Sequence, residues 1–301
     1  MVLNSRFVFH SKSGDIANLE QSLSLADQEF VNVVVLSQRF YGISSLMPGK
    51  QSKCWFHSQI AHKQDQVIFK KMGGFVGSCS EAPVKDAPNT SYVYSEAVVC
   101  DCIAPPAEAF GMHFLEIGAA DGQYLSNLLF FEMQMGWTGL CVEGSPLSFR
   151  RLQKNRPLCR NVNSLIAKGG GHKAFYTFES PNSWEIGMSC MQGTACGKND
   201  EEALEYAKSL GKVLKKDLVP VTTLAQLFRD HGFVSFGWIM VDVEGAEDIV
   251  IPTINFDEIR AKFVSYEGSH PVSLSYITSN GYKKSFDVGG IDTFFTPDDA
   301  A

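Results

Sequence analysis

From about residue 112 onward, short apolar runs alternate with longer segments of mixed polarity. The runs at 113–118, 138–143 and 238–243 are short and mostly apolar, which predicts buried strands. The segments at 123–135 and 146–155 predict helices, and the second follows a Ser-Pro pair that suits a helix start. Further strands are predicted at 159–163, 174–178, 262–267, 282–287 and 292–296, and a charged helix within 201–214. This alternation indicates a mostly parallel sheet with helices on both faces.

The first third of the chain is less regular. The run at 31–36 predicts either a short strand or part of a helix, and 58–71 predicts a helix. Prolines and a lack of any clear period predict a loop or insertion after residue 75. The predicted division of the chain is an N-terminal extension at 1–57, a helical segment at 58–75, a loop or insertion at 76–111 and the main domain at 112–301.

Composition and charge narrow the classes of function. The chain has 301 residues, with 26 Lys and Arg against 33 Asp and Glu and a net charge of −7. A content of 45% hydrophobic and 20% charged residues excludes a disordered or collagen-like chain, and the acidity argues against a nucleic-acid partner. No apolar stretch approaches the roughly 20 residues of a membrane-spanning helix, and the first residues lack a secretory leader. We therefore predict a cytoplasmic protein without a membrane span.

The eight cysteines allow two interpretations. An even count is compatible with four disulfides, but the chain is not short and no CxxC pair is present. We therefore expect Cys141 and Cys159, which lie in or beside apolar runs, to be buried thiols, and we assign no role to Cys100 and Cys102.

A glycine turn after the first regular strand carries the most specific chemistry. In FLEIGAADG at 114–122, Gly118 and Gly122 bracket a tight turn where the backbone can approach a ligand. Glu143 follows Gly122 by 21 residues, at the end of the next strand, where a carboxylate can accept two hydrogen bonds from a ribose. The turn lacks the Gly-x-Gly-x-x-Gly spacing of NAD sites. With Glu116 just before the turn, these features fit S-adenosylmethionine better than NAD.

Two acids of this region have alternative roles. Glu116 either lies near the amino-acid part of the cofactor or caps the neighbouring helix. Asp121 is either a ligand contact or the N-cap of the helix that follows, and both roles can hold together.

The string at 114–146 resembles the opening of FkbM-type methyltransferases. It carries the EIGA-x-DG turn, then Ser126-Asn127, then the E-x-x-x-GW-x-G-x-x-x-E pattern that ends at Glu143. MVDVEGAE at 240–247 is similar to a second motif of that family, and Gln64-Asp65 with Ser58-Gln59 to a third. The resemblance covers 58–72 and about 112–296, whereas about 35 residues after the Gly-Gly-Phe at 73–75 have no counterpart.

The resemblance implies a class I methyltransferase, Rossmann-like fold, with a seven-stranded, mostly parallel sheet that has one antiparallel strand near its edge. It implies methyl transfer from S-adenosylmethionine, usually to a hydroxyl on a sugar or other small metabolite. By family position, Glu116, Gly118 and Gly122 would line the cofactor, Glu143 would hold its ribose, and Asn163 would lie near the adenine.

Acidic residues follow the later strands, where the acceptor would bind. Asp242 and Glu244 come after one strand, Glu267 ends the next, and His270 follows three residues later. We predict His270 as the general base, since its ordinary pKa of about 6.5 suits proton transfer, with Glu244 and Glu267 beside it and Asp242 at the cofactor. The alternative for His270 is a cap on the helix that Pro271 begins.

The sequence also bears on a possible metal and on alternative functions. Asp242, Glu267 and His270 have donors that suit Mg²⁺ or Mn²⁺, but we predict a site without a resident metal. A methyltransferase that modifies nucleic-acid bases would carry an Asn/Asp-Pro-Pro-aromatic run in place of DVEG at 242–245. A catalytically silent nucleoside-binding protein of the same fold, or a methyltransferase for a macromolecule, stays open as an alternative, while an NAD enzyme is disfavoured by the turn.

Overall fold

The computed structural model describes residues 46–56, 63–81, 98–179 and 189–299. The predicted element at 31–36 and the Ser58-Gln59 pair lie outside these ranges. The described strands are β1 (Gln51–Phe56), β2 (Phe75–Glu81), β3 (Val98–Ile103), β4 (His113–Ile117), β5 (Thr138–Glu143), β6 (Arg160–Asn163), β7 (Leu165–Ile166), β8 (His172–Glu179), β9 (Cys190–Met191), β10 (Val213–Thr222), β11 (Ser235–Val241), β12 (Arg260–Glu267), β13 (Tyr282–Val288) and β14 (Asp292–Pro297). The described α-helices are α1 (Gln64–Lys71), α2 (Leu129–Met135), α3 (Pro146–Asn155), α4 (Asp200–Ser209), α5 (Leu224–His231), α6 (Glu247–Val250) and α7 (Pro271–Ser279).

The central sheet has seven strands in the order β13-β14-β12-β11-β4-β5-β6. Neighbouring strands from β12 through β11, β4 and β5 to β6 are parallel. β14 is antiparallel to both β12 and β13, so it alone runs against the other six strands. The carboxyl ends of β4, β5, β11 and β12 therefore meet at one edge of the sheet.

Both faces of this sheet are buried under helices, which explains the continuous apolar runs. On one face Leu115 and Ile117 of β4 belong to a hydrophobic cluster that includes residues of α5, α6 and α7. On the other face Phe114 of β4 and Cys141 of β5 belong to a second cluster, with residues of α1, α2 and α3. Successive side chains of a strand point to opposite faces, so each strand contributes to both clusters.

The described parts of the predicted loop or insertion, 76–81 and 98–111, contain strands. β2 and β3 lie in this stretch, and both pair in antiparallel fashion within a three-stranded sheet of order β1-β3-β2. The prediction is therefore corrected for these two strands. The prolines of the segment misled it, because Pro105 and Pro106 follow β3 rather than interrupt it.

The eight cysteines form disulfides, which corrects the prediction of buried thiols. Cys141, near the end of β5, is bonded to Cys159, just before β6, with their Cα atoms 6.1 Å apart. Spacing along the chain could not show this pairing, because it depends on the two strands lying side by side in the sheet. The bonded pairs are Cys54–Cys102, Cys79–Cys100, Cys141–Cys159 and Cys190–Cys196.

A four-stranded sheet of order β7-β10-β8-β9 lies beside the central one. The stretch 174–178, predicted as an edge strand, lies inside this sheet because β8 pairs with β10 over its whole length and with β9 on its other side. Among the described residues, no helix is long and apolar enough to cross a membrane.

Candidate functional site

A cavity of about 390 Å³ opens at the edge where the parallel strands of the central sheet end. Its wall includes residues of the turn that follows β4, the end of β5, the segment 164–166 and the segment after β11. Open α/β sheets bind their ligands at this edge, and cavities of this size suit a small molecule. Ala120, Leu125 and Glu244 all line the cavity and have positive φ angles of 47°, 57° and 52°. Backbone strain of this kind concentrates at ligand sites.

The glycine turn is held tightly against the neighbouring strand end. Gly118 has a φ of +86°, and a Cβ atom there would overlap the backbone oxygen of Asp242. Gly122 has a φ of +80°, and a Cβ atom there would lie 2.6 Å from side-chain atoms of Leu152 and Arg156. Only glycine fits at either position without displacing a neighbour.

The helix predicted over 123–135 begins later than expected. Asp121 Oδ1 accepts hydrogen bonds from the backbone N–H groups of Gln123 (3.0 Å) and Tyr124 (2.9 Å). The carboxylate thus caps a turn, Leu125 has a positive φ, and α2 begins only at Leu129. Asp121 is therefore not the N-cap of that helix, which corrects one of its two predicted roles. It lines the cavity, so its position is compatible with a ligand contact.

Glu143 lies at the end of β5, in the wall of the cavity, with 7% of its surface exposed. Its Oε2 accepts a hydrogen bond from the backbone N–H of Ala120 (2.8 Å), and its Oε1 accepts one from that of Ser145 (2.6 Å). A carboxylate has about four acceptor positions, so roughly two stay available to a ligand. Burial raises the pKa of Glu143 to about 7, and the nearby Asp121 charge adds to this, although both backbone hydrogen bonds oppose it.

Asn163 has a supporting position. Its side-chain Nδ2 donates to the backbone oxygens of Glu143 (2.7 Å) and Gly144 (3.1 Å). It fixes the chain just after β5, whereas the adjacent wall of the cavity is formed by Ser164, Leu165 and Ile166.

Glu116 takes part in a buried ion-pair network. Its Oε1 accepts a hydrogen bond from Ser126 Oγ (2.9 Å), and its Oε2 lies 3.0 Å from Nη1 of Arg156. Arg156 is fully buried and also donates from Nε to Glu132 Oε2 (2.8 Å). Burial raises the pKa of Glu116, while the Arg156 charge and the hydrogen bonds from Ser126 and Arg156 lower it. Glu116 lines the cavity but is bound to protein groups on both oxygens.

The structure brings Asp242, Glu244 and Glu267 together at the far side of the cavity. One carboxylate oxygen from each lies within 4.8 Å of the others. Burial raises the pKa of Asp242 well above its usual range and the pKa of Glu244 to about 7. Repulsion from the Glu267 carboxylate is the second cause of both shifts. Repulsion between carboxylates at this distance makes the site attractive to a positive charge.

Two further residues of the cavity wall, Asp292 and Gln64, were not predicted from the sequence as site residues. Asp292 lies opposite Glu267 across the β12–β14 pair, and Gln64 Nε2 donates to Asp292 Oδ2 (2.6 Å). Burial raises the pKa of Asp292 to about 7, although the hydrogen bond from Gln64 opposes this shift. Gln64 belongs to the upstream motif noted in the sequence, but no local pattern reveals its partner 228 residues away.

His270 is not part of the cavity wall. Its Nε2 lies 3.1 Å from Glu247 Oε2 and its Nδ1 4.0 Å from Asp248 Oδ2. It occupies the N-cap position of α7, where its backbone oxygen accepts a hydrogen bond from Leu274 but its side chain makes no capping hydrogen bond. The predicted general base thus does not line the cavity, whereas Glu244 and Glu267 do.

Comparison with known proteins gave a family match and a weak structural similarity. Residues 116–284, more than half of the chain, match the methyltransferase FkbM domain. A search of curated proteins gave no match. One similar solved structure is the crystal structure of precorrin-6y C5,15-methyltransferase from Geobacter metallireducens GS-15, with 7% identity, a TM-score of 0.32 and coverage of 64% of this chain and 83% of that chain.

Proposed function

The chain belongs to the FkbM methyltransferase domain family, and we propose from this that it transfers a methyl group from S-adenosylmethionine to a hydroxyl on a sugar or other small metabolite. The observation that carries the proposal is the position of Glu143, a buried carboxylate with free acceptor capacity in the wall of the cavity. A nucleoside ribose presents two neighbouring hydroxyl donors that suit such a group.

The order of the central sheet supports a class I methyltransferase, Rossmann-like fold. Six strands run in one direction, and β14 alone is antiparallel, one position in from the edge. This agrees with the arrangement that the sequence resemblance implies, and it accounts for the cavity at the carboxyl ends of β4 and β5.

The proposed cofactor lies between the glycine turn and Glu143. Gly118 lines the cavity, whereas Gly122 lets the turn pack against Leu152 and Arg156. Asp121 fixes the shape of that turn. Glu116 supports the turn through Ser126, and Asn163 supports the loop after β5, so we assign both to positioning.

The acidic side of the cavity is the proposed place of transfer. The acceptor oxygen attacks the methyl carbon, the carbon–sulfur bond breaks, and its electron pair returns to sulfur to give S-adenosylhomocysteine. The proton of the hydroxyl is released among the carboxylates that line the cavity, which include Glu244, Glu267 and Asp292. Asp242 lies at the junction with the cofactor, beside Gly118. His270 does not line this cavity and its Nε2 contacts Glu247, so these carboxylates take the place of His270 as proposed proton acceptors.

The disulfides bear on where the protein works. Cytosolic thiols are normally kept reduced, whereas all eight cysteines of this chain are paired. We therefore propose an oxidising compartment in place of the cytoplasm that the sequence predicts.

Release of S-adenosylhomocysteine tests the proposed activity. The oxidised protein is incubated with S-adenosylmethionine and a panel of sugars, glycolipid precursors and phenols, each beside an analogue that lacks the hydroxyl. We expect release with a hydroxyl acceptor and none with its deoxy analogue. Cofactor binding without release on any acceptor would support a silent binding protein, and release only with a protein or nucleic acid would favour a macromolecular substrate.

The affinity for S-adenosylmethionine should depend on pH through Glu143. Ribose hydroxyls donate to the ionised carboxylate, so affinity is full above the pKa of about 7 and is lost as the pH falls through it. Between pH 8 and pH 6 the Kd should rise about tenfold from this group. Calorimetry on the wild type and on Glu143→Gln isolates the effect, because every other titratable group, including those of the cofactor, is the same in both experiments. Identical pH profiles for the two proteins would contradict the assignment.

A further inference from the structure

The acidic side of the cavity has no cationic side chain to balance it. Asp242, Glu244 and Glu267 approach within 4.8 Å, and Asp292 lies beside Glu267. Among the described residues, no Lys, Arg or His lines this cavity, and none forms an ion pair with these four carboxylates. Like charges at this distance repel strongly at a buried site, so the arrangement favours the binding of a cation from outside the chain.

A second observation comes from a different element of the fold. Gln64, at the start of α1, is 6% exposed and lines the same cavity. Its Nε2 donates to Asp292 Oδ2, which fixes the orientation of the amide, but its buried Oε1 has no hydrogen-bond partner among the described residues. A buried oxygen without a donor is destabilising, so binding of a ligand to it is favoured. A neutral oxygen of this kind is a common ligand for a hard cation or for its bound water.

We propose that Asp242, Glu244 and Glu267 bind a divalent cation of the Mg²⁺ and Mn²⁺ class, with Gln64 Oε1 facing the same space. The donors are all oxygens, which favours hard cations over zinc or copper. Ligands on opposite sides of an oxygen-bound cation lie about 4–5 Å apart, which matches the span of the three carboxylates. This departs from the expectation of a site without metal. The sequence suggests Asp242, Glu267 and His270 as possible metal ligands, whereas in the proposed site Glu244 takes the place of His270.

The role of the ion rests on the proposed function. A cation held at the ends of β11 and β12 would bind the acceptor oxygen and make its hydroxyl proton easier to release. Binding of the ion itself requires neither S-adenosylmethionine nor turnover, so the two ideas can fail separately.

Binding of Mn²⁺ to the chelator-treated, oxidised protein tests the proposal without any cofactor. Electron paramagnetic resonance measures free Mn²⁺ during a titration, with Mg²⁺ as the competitor. We expect one Mn²⁺ per chain, displaced by Mg²⁺, and at least tenfold weaker binding in Asp242→Asn and Glu267→Gln. Glu205→Gln, which removes the same charge from the exposed face of α4, should bind like the wild type.

The outcomes separate the site from the function. Lack of Mn²⁺ binding to the folded wild type, or equal loss in Glu205→Gln and Glu267→Gln, would overturn the metal site. If Asp242→Asn fails to fold by circular dichroism, Glu244→Gln, a partly exposed position, gives the same test. Mn²⁺ binding without methyl transfer on any acceptor would support the metal site and count against the proposed function. Methyl transfer by a protein that binds no Mn²⁺ would do the reverse.

Discussion

Replacement of Arg156 by methionine should lower the free energy of unfolding by about 3–5 kcal/mol, the typical loss when one partner of a buried ion pair is removed. Arg156 is fully buried and contacts Glu116 and Glu132 at 3.0 and 2.8 Å. Without it, two buried carboxylates would lose the counter-charge that Arg156 supplies, and the Ser126 side of the glycine turn would lose a contact. Urea unfolding of the oxidised protein measures the loss.

Two further variants make the Arg156 prediction specific. Arg150→Met removes the same charge from the exposed face of α3 and should change stability by less than about 0.5 kcal/mol. Adding Glu132→Gln to Arg156→Met should recover part of the loss, because it removes one of the two buried charges that Arg156 balances. A loss below about 1 kcal/mol in Arg156→Met would mean that the network is not an important source of stability.

The second large effect is expected from Gly118→Ala. The substitution places a side chain at a φ of +86° and against the backbone oxygen of Asp242, so the turn after β4 must move away from β11. Strain and overpacking together should cost about 2–5 kcal/mol. Because this turn forms one wall of the cavity, binding of S-adenosylmethionine should be lost as well.

Gly169→Ala is the matched control for that variant. Gly169 has a φ of +97°, but nothing lies within 4 Å of the position of a Cβ atom there. It should carry only the backbone cost, about 1–2 kcal/mol, and bind the cofactor like the wild type. Equal losses of stability and affinity in the two alanine variants would show that the contact with Asp242 has no special role.

The sequence predicted those elements that are marked by local signals, such as a continuous apolar run or a helix cap. β5 spans Thr138–Glu143, as its apolar run indicates, because both faces of the central sheet are covered. The start of α3 was also predicted, since Ser145 caps it by accepting a hydrogen bond from Ser148 N–H and Pro146 follows. These signals are local, so they can be read from neighbouring residues.

The remaining features depend on residues far apart in the chain. Gln64 meets Asp292 across 228 residues, and Arg156 meets Glu116 across 40. A buried arginine at the end of a helix looks in sequence like an exposed one. The short spacing after Glu267 predicts His270 near the cavity. The chain turns at Gly268, which has a φ of +85°, and His270 contacts Glu247 instead.

Calorimetry of S-adenosylmethionine binding to the oxidised wild type at pH 8 is the most direct test of the central claim. We predict one site per chain and a loss of affinity of about 2–4 kcal/mol, or roughly 30- to 1000-fold, in a folded Glu143→Ala variant. Glu205→Ala, the same change at an exposed position, should bind like the wild type. No binding to the folded wild type, or equal affinity in Glu143→Ala, would contradict the account.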